Sequence, residues 1–142
     1  MEFGTFIGRN ALNMSFNTNH PIYTIDSGVP DDPRYGSYVP GEDFVNADIA
    51  NKPHLLLGDS RVVDIPVEPH TAGFVYVDGG HTYQVVKTDS ARALDLVHPD
   101  GFIVWDDYSG TWPGVIRALD ELSETVSLLL VQKECYVVWG SV

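Results

Sequence analysis

Apolar runs alternate with amphipathic stretches along most of the chain. Four short runs are rich in aliphatic and aromatic residues, at Ile22–Asp26, Pro53–Leu57, Phe74–Asp78 and Phe102–Asp107. Unbroken runs of this kind predict inner strands of a parallel sheet that are buried on both faces. The spacing of apolar residues predicts four helices, at Arg9–Phe16, Glu42–Asn51, Tyr83–His98 and Pro113–Glu124. Strands that alternate with helices indicate a doubly wound, mostly parallel α/β sheet.

Three segments depart from this alternation within what the length favours as a single domain, residues 1–142. Residues 1–3 leave room for only the end of a strand, which predicts a truncated first strand. The segment Ser27–Gly41 is rich in Pro, Gly and Asp, so it is either an active-site flap or a flexible surface loop. Val126–Val131 and Cys135–Trp139 are joined by three residues, which predicts an antiparallel C-terminal hairpin.

Acidic residues stand where the predicted strands end. Asp26, Asp59, Asp78 and Asp106 each follow or close an apolar run, and Glu2 lies in the short first strand. Because parallel strands bring their carboxyl ends to one edge of a sheet, we expect these acids to share the edge where such sheets bind ligands. One strand-end acid is ordinary turn chemistry, but four or five on one edge indicate a ligand site.

The stretch FVYVDGGHTY joins one of these strands to a helix through a histidine. The two glycines after Asp78 permit a tight turn, and Thr82 suits the capping position of the helix that follows. This arrangement places a carboxylate and an imidazole, those of Asp78 and His81, at the end of an inner strand. The pair is suited to acid–base chemistry.

Gly4 and Gly8 lie between the first strand and the first helix. Glycines at such a turn let backbone amides approach a ligand closely. Asp26 lies about twenty residues further on, where a carboxylate accepts hydrogen bonds from ribose hydroxyls, although a simple turn aspartate is an equal alternative. The three-glycine dinucleotide fingerprint is absent, which counts against a nucleotide-binding oxidoreductase.

Charge and cysteine content narrow the choice of partner. Twenty acidic and eight basic residues give a formal charge of −12, which argues against nucleic acid or an anionic membrane. A metal cation or a cationic cofactor suits this charge better. No targeting or membrane-spanning segment is recognisable, so we predict a cytoplasmic protein. The single cysteine, Cys135, excludes an internal disulfide framework, and its apolar surroundings predict a buried structural thiol.

Three blocks of the sequence resemble the class I S-adenosylmethionine-dependent methyltransferases, and among them the small O-methyltransferases with a catechol O-methyltransferase-like core. EFGTFIGRNAL resembles the first motif of that family, an acid followed by Gly-Thr and a second glycine that opens a helix. VDGGHTYQVVKTD resembles the motif at the fourth strand, and HPDGFIVWDDYSGTWPGV the motif at the fifth. The last two blocks, in this order and at this spacing, are the specific evidence. The resemblance implies a Rossmann-like methyltransferase sheet.

The resemblance also implies roles for the strand-end residues. Contacts to S-adenosylmethionine are implied at Glu2, Gly4, Gly8, Asp26, Asp59, Ser60 and Asp78. Oxygen ligands for Mg²⁺ or another divalent cation are implied at Asp78, Asp106 and Asp107. His81 falls where the catechol-type enzymes have a lysine base, so His81 and Asp78 are the expected catalytic residues. The implied reaction is O-methylation of a small hydroxylated molecule, with a metal that lowers the pKa of its hydroxyl.

The sequence begins within the first motif of the family, without the helices that precede that motif and cover the active site in its members. One interpretation is a homodimer in which a second copy covers the gap. Another is a truncated, catalytically inactive protein that serves as a binding or assembly module. A third is that the full protein begins further upstream.

Overall fold

A computed structural model describes residues 1–30 and 32–140 of the chain. The strands in the described part are β1 Glu2–Phe3, β2 Tyr23–Asp26, β3 His54–Leu57, β4 Ala72–Val77, β5 Val97–Trp105, β6 Leu129–Leu130 and β7 Val137–Gly140. The α-helices there are α1 Arg9–Ser15, α2 Glu42–Val45, α3 Tyr83–Leu96 and α4 Pro113–Ser123. None of these helices is long and apolar enough to cross a bilayer. The chain forms two compact units, Met1–Ile65 and Pro66–Val142, while its organisation as a single domain stays a prediction.

The first unit is built on three parallel strands in the order β3-β2-β1. Its buried core cluster consists of Ala11, Ile22 and Phe44, against which partly buried side chains of α1, α2 and β3 pack. Helix α2 is one turn long and not the ten residues predicted from Glu42 to Asn51. It ends at Val45, with Asn46 as its C-cap, because asparagine and aspartate in this segment favour caps and turns over helix interiors. The Ser27–Gly41 loop, outside position 31, contains a 3-10 turn at Pro33–Tyr35.

The second unit combines parallel and antiparallel pairing. Strand β4 pairs in parallel with β5, and β7 pairs antiparallel with both β5 and β6. Helix α3 contacts β4, β5 and α4. The indole of Trp105 is buried and donates a hydrogen bond to the Ser90 hydroxyl at 2.9 Å, which attaches the end of β5 to α3. The predicted mostly parallel α/β fold with an antiparallel C-terminal hairpin is confirmed, and β1 contains only two residues.

Strands β4 and β5 are buried on one face and not on both. Val75 and Ile103 are fully buried, whereas Phe74 and Phe102 are 39% and 43% exposed. Side chains alternate between the two faces of a strand, so the exposed rings share the face opposite the buried residues. An apolar run therefore marked the strands correctly but did not reveal that one of their faces is half open.

The C-terminal elements are shorter than their apolar runs. Strand β6 covers two residues, because Val126 instead donates its backbone N–H to the Leu122 carbonyl at the end of α4. Strand β7 begins at Val137, so Cys135 falls in the preceding turn, where it is exposed. The prediction of a buried structural thiol was wrong for this reason.

Candidate active site

The turn after β4 brings His81 to the carboxyl end of the strand. Strand β4 ends at Val77, and α3 begins at Tyr83 with the Thr82 hydroxyl accepting from the Val85 amide at 3.4 Å. The helix start and its cap are therefore as predicted. A small pocket, partly open to solvent, lies at this turn, and its lining comprises residues 77–81, Val86, residues 105–107 and Val115.

Asp107 and Trp112 hold the ring of His81 from two sides. The Nε2 atom of His81 lies 2.7 Å from Oδ2 of Asp107, and the imidazole side chain is only 11% exposed. The indole of Trp112 stacks on the imidazole with ring centroids 3.8 Å apart and planes 15° from parallel. Asp107 itself has a left-handed backbone, with φ of 63°, a conformation that aspartate tolerates better than most residues. The imidazole is thus fixed in both direction and plane.

Gly114, in the first turn of α4, permits close packing against the backbone that carries His81. A Cβ atom at position 114 would lie 2.3 Å from the His81 carbonyl oxygen and 2.7 Å from the Tyr83 nitrogen. We expect Gly114→Ala to lower the free energy of unfolding by about 1–3 kcal/mol, because backbone must move to admit the methyl group. Urea denaturation measures this. Gly110→Ala is the control, since its Cβ meets nothing within 4 Å, and equal stability of the two variants would contradict the close packing.

The predicted metal ligands Asp78, Asp106 and Asp107 are not brought together as a set. Asp106 accepts a hydrogen bond from the Tyr76 hydroxyl at 2.6 Å on Oδ2 and one from the Asp107 amide at 2.6 Å on Oδ1. Burial, and then this bond to Asp106, raise the pKa of Tyr76 well above its ordinary value, so the tyrosine stays a donor. The side chains whose ligand atoms do cluster, all within 4.8 Å of one another, are those of Asp78, His81 and Asp107. The three-carboxylate set stays a prediction, and the group that the structure brings together contains His81 in the place of Asp106.

Asp26, predicted to bind ribose hydroxyls, is buried and hydrogen-bonded within the first unit. Its carboxylate accepts from the Phe6 amide at 2.8 Å, the Gly28 amide at 2.7 Å and the Tyr38 hydroxyl at 2.7 Å. The ring of Tyr38 also contacts that of Phe6, with centroids 4.8 Å apart. The Ser27–Gly41 loop thus places a hydroxyl on the carboxylate that was expected to hold the hydroxyls of a cofactor.

Glu2 lies in the interior of the first unit, with a relative exposure of 1%. It accepts hydrogen bonds from the Asn10 amide at 2.7 Å and from the Thr24 hydroxyl, which also contacts the Thr5 hydroxyl at 2.6 Å. Burial raises the pKa of Glu2 from 4.5 to about 7, although both hydrogen bonds act in the opposite direction. Near neutral pH this carboxyl therefore exists in both protonation states.

The other predicted cofactor residues have local partners in the structure. Gly4 and Gly8 both have left-handed backbones, and a Cβ atom at Gly8 would lie 2.5 Å from the Phe44 ring, so Gly8 makes room for the core. Asp59 forms a salt bridge with Arg61 at 2.6 Å, and the hydrogen bonds from Arg61 lower the pKa of Asp59 to about 2. Ser60 is half-buried in the same turn.

Comparison with known proteins decides the family. A sequence model described as a methyltransferase domain matches residues 1–108 of the 142. The chain belongs to the methyltransferase family. The recognition of a class I S-adenosylmethionine-dependent methyltransferase is thereby confirmed, and S-adenosylmethionine-dependent methylation is the class of activity that this membership supports. No curated protein matches this methyltransferase-family chain.

Solved structures of methyltransferases share the fold. The O-methyltransferase NovP is 20% identical, with a TM-score of 0.70, and the match covers 98% of this chain and 69% of that one. CalS11, a TDP-rhamnose 3'-O-methyltransferase of calicheamicin biosynthesis, is 18% identical, with a TM-score of 0.67 and coverage of 99% and 71%. A TehB-like S-adenosylmethionine-dependent methyltransferase from Corynebacterium glutamicum is 15% identical, with a TM-score of 0.62 and coverage of 99% and 78%. At identities this low the likeness establishes the fold only.

Two residues of this methyltransferase-family chain that touch the predicted site were not found from the sequence. Tyr76 lies inside a strand run and Tyr38 inside a loop, and neither position differs in pattern from an ordinary packed or exposed tyrosine. Trp112 could be identified from the sequence as a candidate to line a pocket, because it is an aromatic residue shortly after the fifth-strand acids. The structure shows it stacked on His81.

Proposed function

We propose that this chain transfers the methyl group of S-adenosylmethionine to a hydroxyl oxygen of a small molecule. The observation that carries the proposal is the partly buried pair formed by His81 and Asp107 beside a pocket that is partly open to solvent, in a chain of the methyltransferase family. O-methylation is favoured because a hydroxyl loses its proton as it attacks, and an imidazole held by a carboxylate is an effective acceptor of that proton.

The proton-transfer step needs only residues of the second unit. When the hydrogen of His81 is on Nε2 and is donated to Asp107, the lone pair lies on Nδ1. Nδ1 then takes the hydroxyl proton while the oxygen forms its bond to the methyl carbon and the carbon–sulfur bond breaks, which releases neutral S-adenosylhomocysteine. Asp107 stabilises the imidazolium that forms, and stacking on Trp112 keeps the ring in the productive plane. Asp78, exposed at the end of β4, is the second group proposed to act here.

Divalent-metal assistance in the three-carboxylate form is not part of this proposal. A metal bound beside the acceptor would lower the pKa of its hydroxyl. Among the described residues, Asp106 lies outside the group formed by Asp78, His81 and Asp107, and its two oxygens accept hydrogen bonds from Tyr76 and from the Asp107 amide. The general base in this proposal is His81.

Cofactor binding is proposed for the strand-end residues of the first unit, and the cofactor contact implied for Asp78, in the second unit, stays a separate prediction. Asp26 would accept hydrogen bonds from the ribose hydroxyls, and the two backbone N–H groups that donate to its carboxylate support a fixed orientation of this acceptor. Glu2, Gly4 and Gly8 would shape the first turn, whereas Asp59 and Ser60 would lie beside the adenine. Arg61 already occupies the carboxylate of Asp59, so Asp59 is the weakest member of this set.

Calorimetric titration with S-adenosylhomocysteine and S-adenosylmethionine tests the cofactor proposal. We expect binding in a 1:1 ratio that is weakened at least tenfold by Asp26→Asn, because a charged acceptor is lost. A panel of small hydroxylated acceptors, with sugar nucleotides first because CalS11 methylates TDP-rhamnose, then tests transfer by release of S-adenosylhomocysteine. Absence of binding to either cofactor form would leave the alternative, a catalytically inactive module with the methyltransferase fold.

Tyr38→Phe tests whether the loop competes with the cofactor for Asp26. The Tyr38 hydroxyl must leave the carboxylate before ribose hydroxyls can bind it, so removal of that hydroxyl should tighten binding of S-adenosylhomocysteine about three- to tenfold. Tyr23→Phe is the control, because the Tyr23 ring stacks on His54 at 5.0 Å. Weaker binding by Tyr38→Phe would instead show that Tyr38 holds Asp26 in its binding orientation.

The predicted homodimer and the cytoplasmic location stay predictions. In that prediction a second copy covers the region left open at the two-residue first strand. Sedimentation at two protein concentrations checks the homodimer.

A further inference from the structure

A chain of hydrogen bonds connects a buried carboxyl of the first unit to the turn at residues 4–8, the glycine turn. Glu2 accepts from the Thr24 hydroxyl, and the Thr24 hydroxyl oxygen lies 2.6 Å from that of Thr5. Glu2 lies in β1, Thr24 in β2 and Thr5 in the glycine turn, and all three side chains are buried. Each hydroxyl hydrogen of this relay is therefore donated within the protein and not to water.

The protonation state of Glu2 decides the direction in which the relay donates. An ionised carboxyl can only accept, so Thr24 donates to Glu2 and Thr5 donates to Thr24. In the neutral carboxyl the proton belongs on Oε2, because the Asn10 side-chain amide donates to Oε1 at 2.7 Å. Oε2 then donates to Thr24, Thr24 donates to Thr5, and the hydrogen of Thr5 needs a different acceptor. Ionisation of Glu2 thus changes the hydrogen bonding of the glycine turn.

The glycine turn uses several of its backbone amides internally. The Gly4 and Thr5 amides both donate to the Ile25 carbonyl, at 2.9 and 3.1 Å. The Phe6 amide donates to the Asp26 carboxylate at 2.8 Å. Anion sites in turns are formed by amides that point at the ligand, and these three point into the protein. Together with a buried carboxylate at the other end of the relay, this arrangement favours a positively charged ligand.

We propose that Glu2 is a titratable switch for cofactor binding, and that its ionised form holds the positively charged S-adenosylmethionine more tightly than its neutral form does. The preference follows from Coulomb attraction across an interior that excludes water. S-adenosylmethionine has a sulfonium charge that S-adenosylhomocysteine lacks, so the ionised switch favours the methyl donor over the product. This consequence rests on the proposed function, whereas the reversal of the relay does not.

The switch operates near neutral pH. Burial raises the pKa of Glu2 from 4.5 to about 7, against the hydrogen bonds from Thr24 and Asn10. Two charged groups in the described part of the chain act on this carboxyl, since the Met1 amino group lowers its pKa and the Asp26 carboxylate raises it. A bound cation favours the ionised form. Affinity for S-adenosylmethionine therefore rises as the pH rises through about 7, and binding releases a proton.

The relay is tested on the full chain without a ligand, by the amide resonances of Thr5 and Thr24 in NMR spectra between pH 5 and pH 9. We expect both resonances to shift in one step with a midpoint at about pH 7. The step should vanish in Glu2→Gln, because glutamine donates to Thr24 at every pH, and it should persist in the control Glu68→Gln. A step that persists in Glu2→Gln would overturn the proposal and would indicate another group, such as the Met1 amino group, whose pKa burial lowers to about 6.

The effect on binding is measured by calorimetric titration with S-adenosylmethionine and with S-adenosylhomocysteine at pH 6 and pH 8. In the wild type the preference for S-adenosylmethionine should increase at least about threefold between these pH values. Glu2→Gln should abolish the increase, and comparison with this variant cancels the titration of the ligand's own amino group. Equal increases in the wild type and Glu2→Gln would overturn the switch. Absence of binding of either ligand, in a chain whose relay titrates as expected, would instead overturn the proposed function and with it the consequence for the cofactor.

Discussion

Replacement of Glu2 by glutamine is expected to raise the free energy of unfolding by about 3 kcal/mol at pH 8 and by only about 1 kcal/mol at pH 5. The reason is the buried carboxyl, whose pKa rises from 4.5 to about 7 in the folded chain because burial disfavours its charge. Glutamine keeps an acceptor for Asn10 and a donor for the Thr24 hydroxyl without that charge.

The sign follows from the order of the two pKa values. Below pH 4.5 the carboxyl is protonated in both the folded and unfolded chains, so the wild type suffers no penalty. Between pH 4.5 and about 7 the unfolded chain releases the proton while the folded chain retains it, so stability falls as pH rises. Above pH 7 the loss is complete.

Urea unfolding followed by circular dichroism at both pH values measures the effect of Glu2→Gln. Glu68→Gln, at an exposed glutamate, is the control and should be neutral at either pH. An equal effect of Glu2→Gln at pH 5 and pH 8 would contradict a raised pKa. If Glu2 also borders the cofactor, the stabilised variant should bind S-adenosylhomocysteine less well, a stability gain at the expense of function.

Replacement of His81 by glutamine is expected to lower kcat for methyl transfer about 100- to 10,000-fold, because the hydroxyl then loses its general base. Affinity for S-adenosylhomocysteine should stay within about threefold of the wild type, since His81 acts on the acceptor and not on the cofactor. The measurement uses an acceptor identified in the panel.

The Asp107→Asn variant tests whether Asp107 positions His81 for catalysis or only supports the local structure. An amide still contacts Nε2 of His81 but stabilises the imidazolium less, so kcat should fall by a smaller factor and the pH–rate profile should change shape. Full activity of His81→Gln would remove the histidine from the mechanism. A loss of helical circular dichroism in either variant is checked first, because α3 begins two residues after His81.

The pattern of apolar residues predicted the fold well because it reports burial along the strands. The runs located β2 to β5, and Thr82 located the start of α3 within a residue. The same pattern could not predict which face of a strand is buried, since Phe74 and Val75 are both apolar although only Val75 is buried. It also placed Cys135 in a strand, because a run does not show where pairing stops.

The sequence could not predict which side chains contact each other at the candidate site, for a different reason. The strand ends correctly placed Asp78, Asp106 and Asp107 near one pocket. Which of them meet is decided by local backbone angles, such as the left-handed φ of 63° at Asp107, and by partners from within strands, such as Tyr76. Neither the backbone angles nor these hydrogen-bond partners can be predicted from the spacing of apolar residues.

If Asp26 binds the ribose hydroxyls as proposed, its hydrogen bond from Tyr38 makes cofactor binding an exchange of one hydroxyl for others. The carboxylate passes from one hydrogen-bonded state to another, so the net affinity is the small difference between two similar interactions. The concentration of cofactor at which the protein is half saturated would then be set by how firmly the Ser27–Gly41 loop holds its own tyrosine in place. Substitutions in that loop can then shift the cofactor concentration at half saturation while every residue around His81 stays the same.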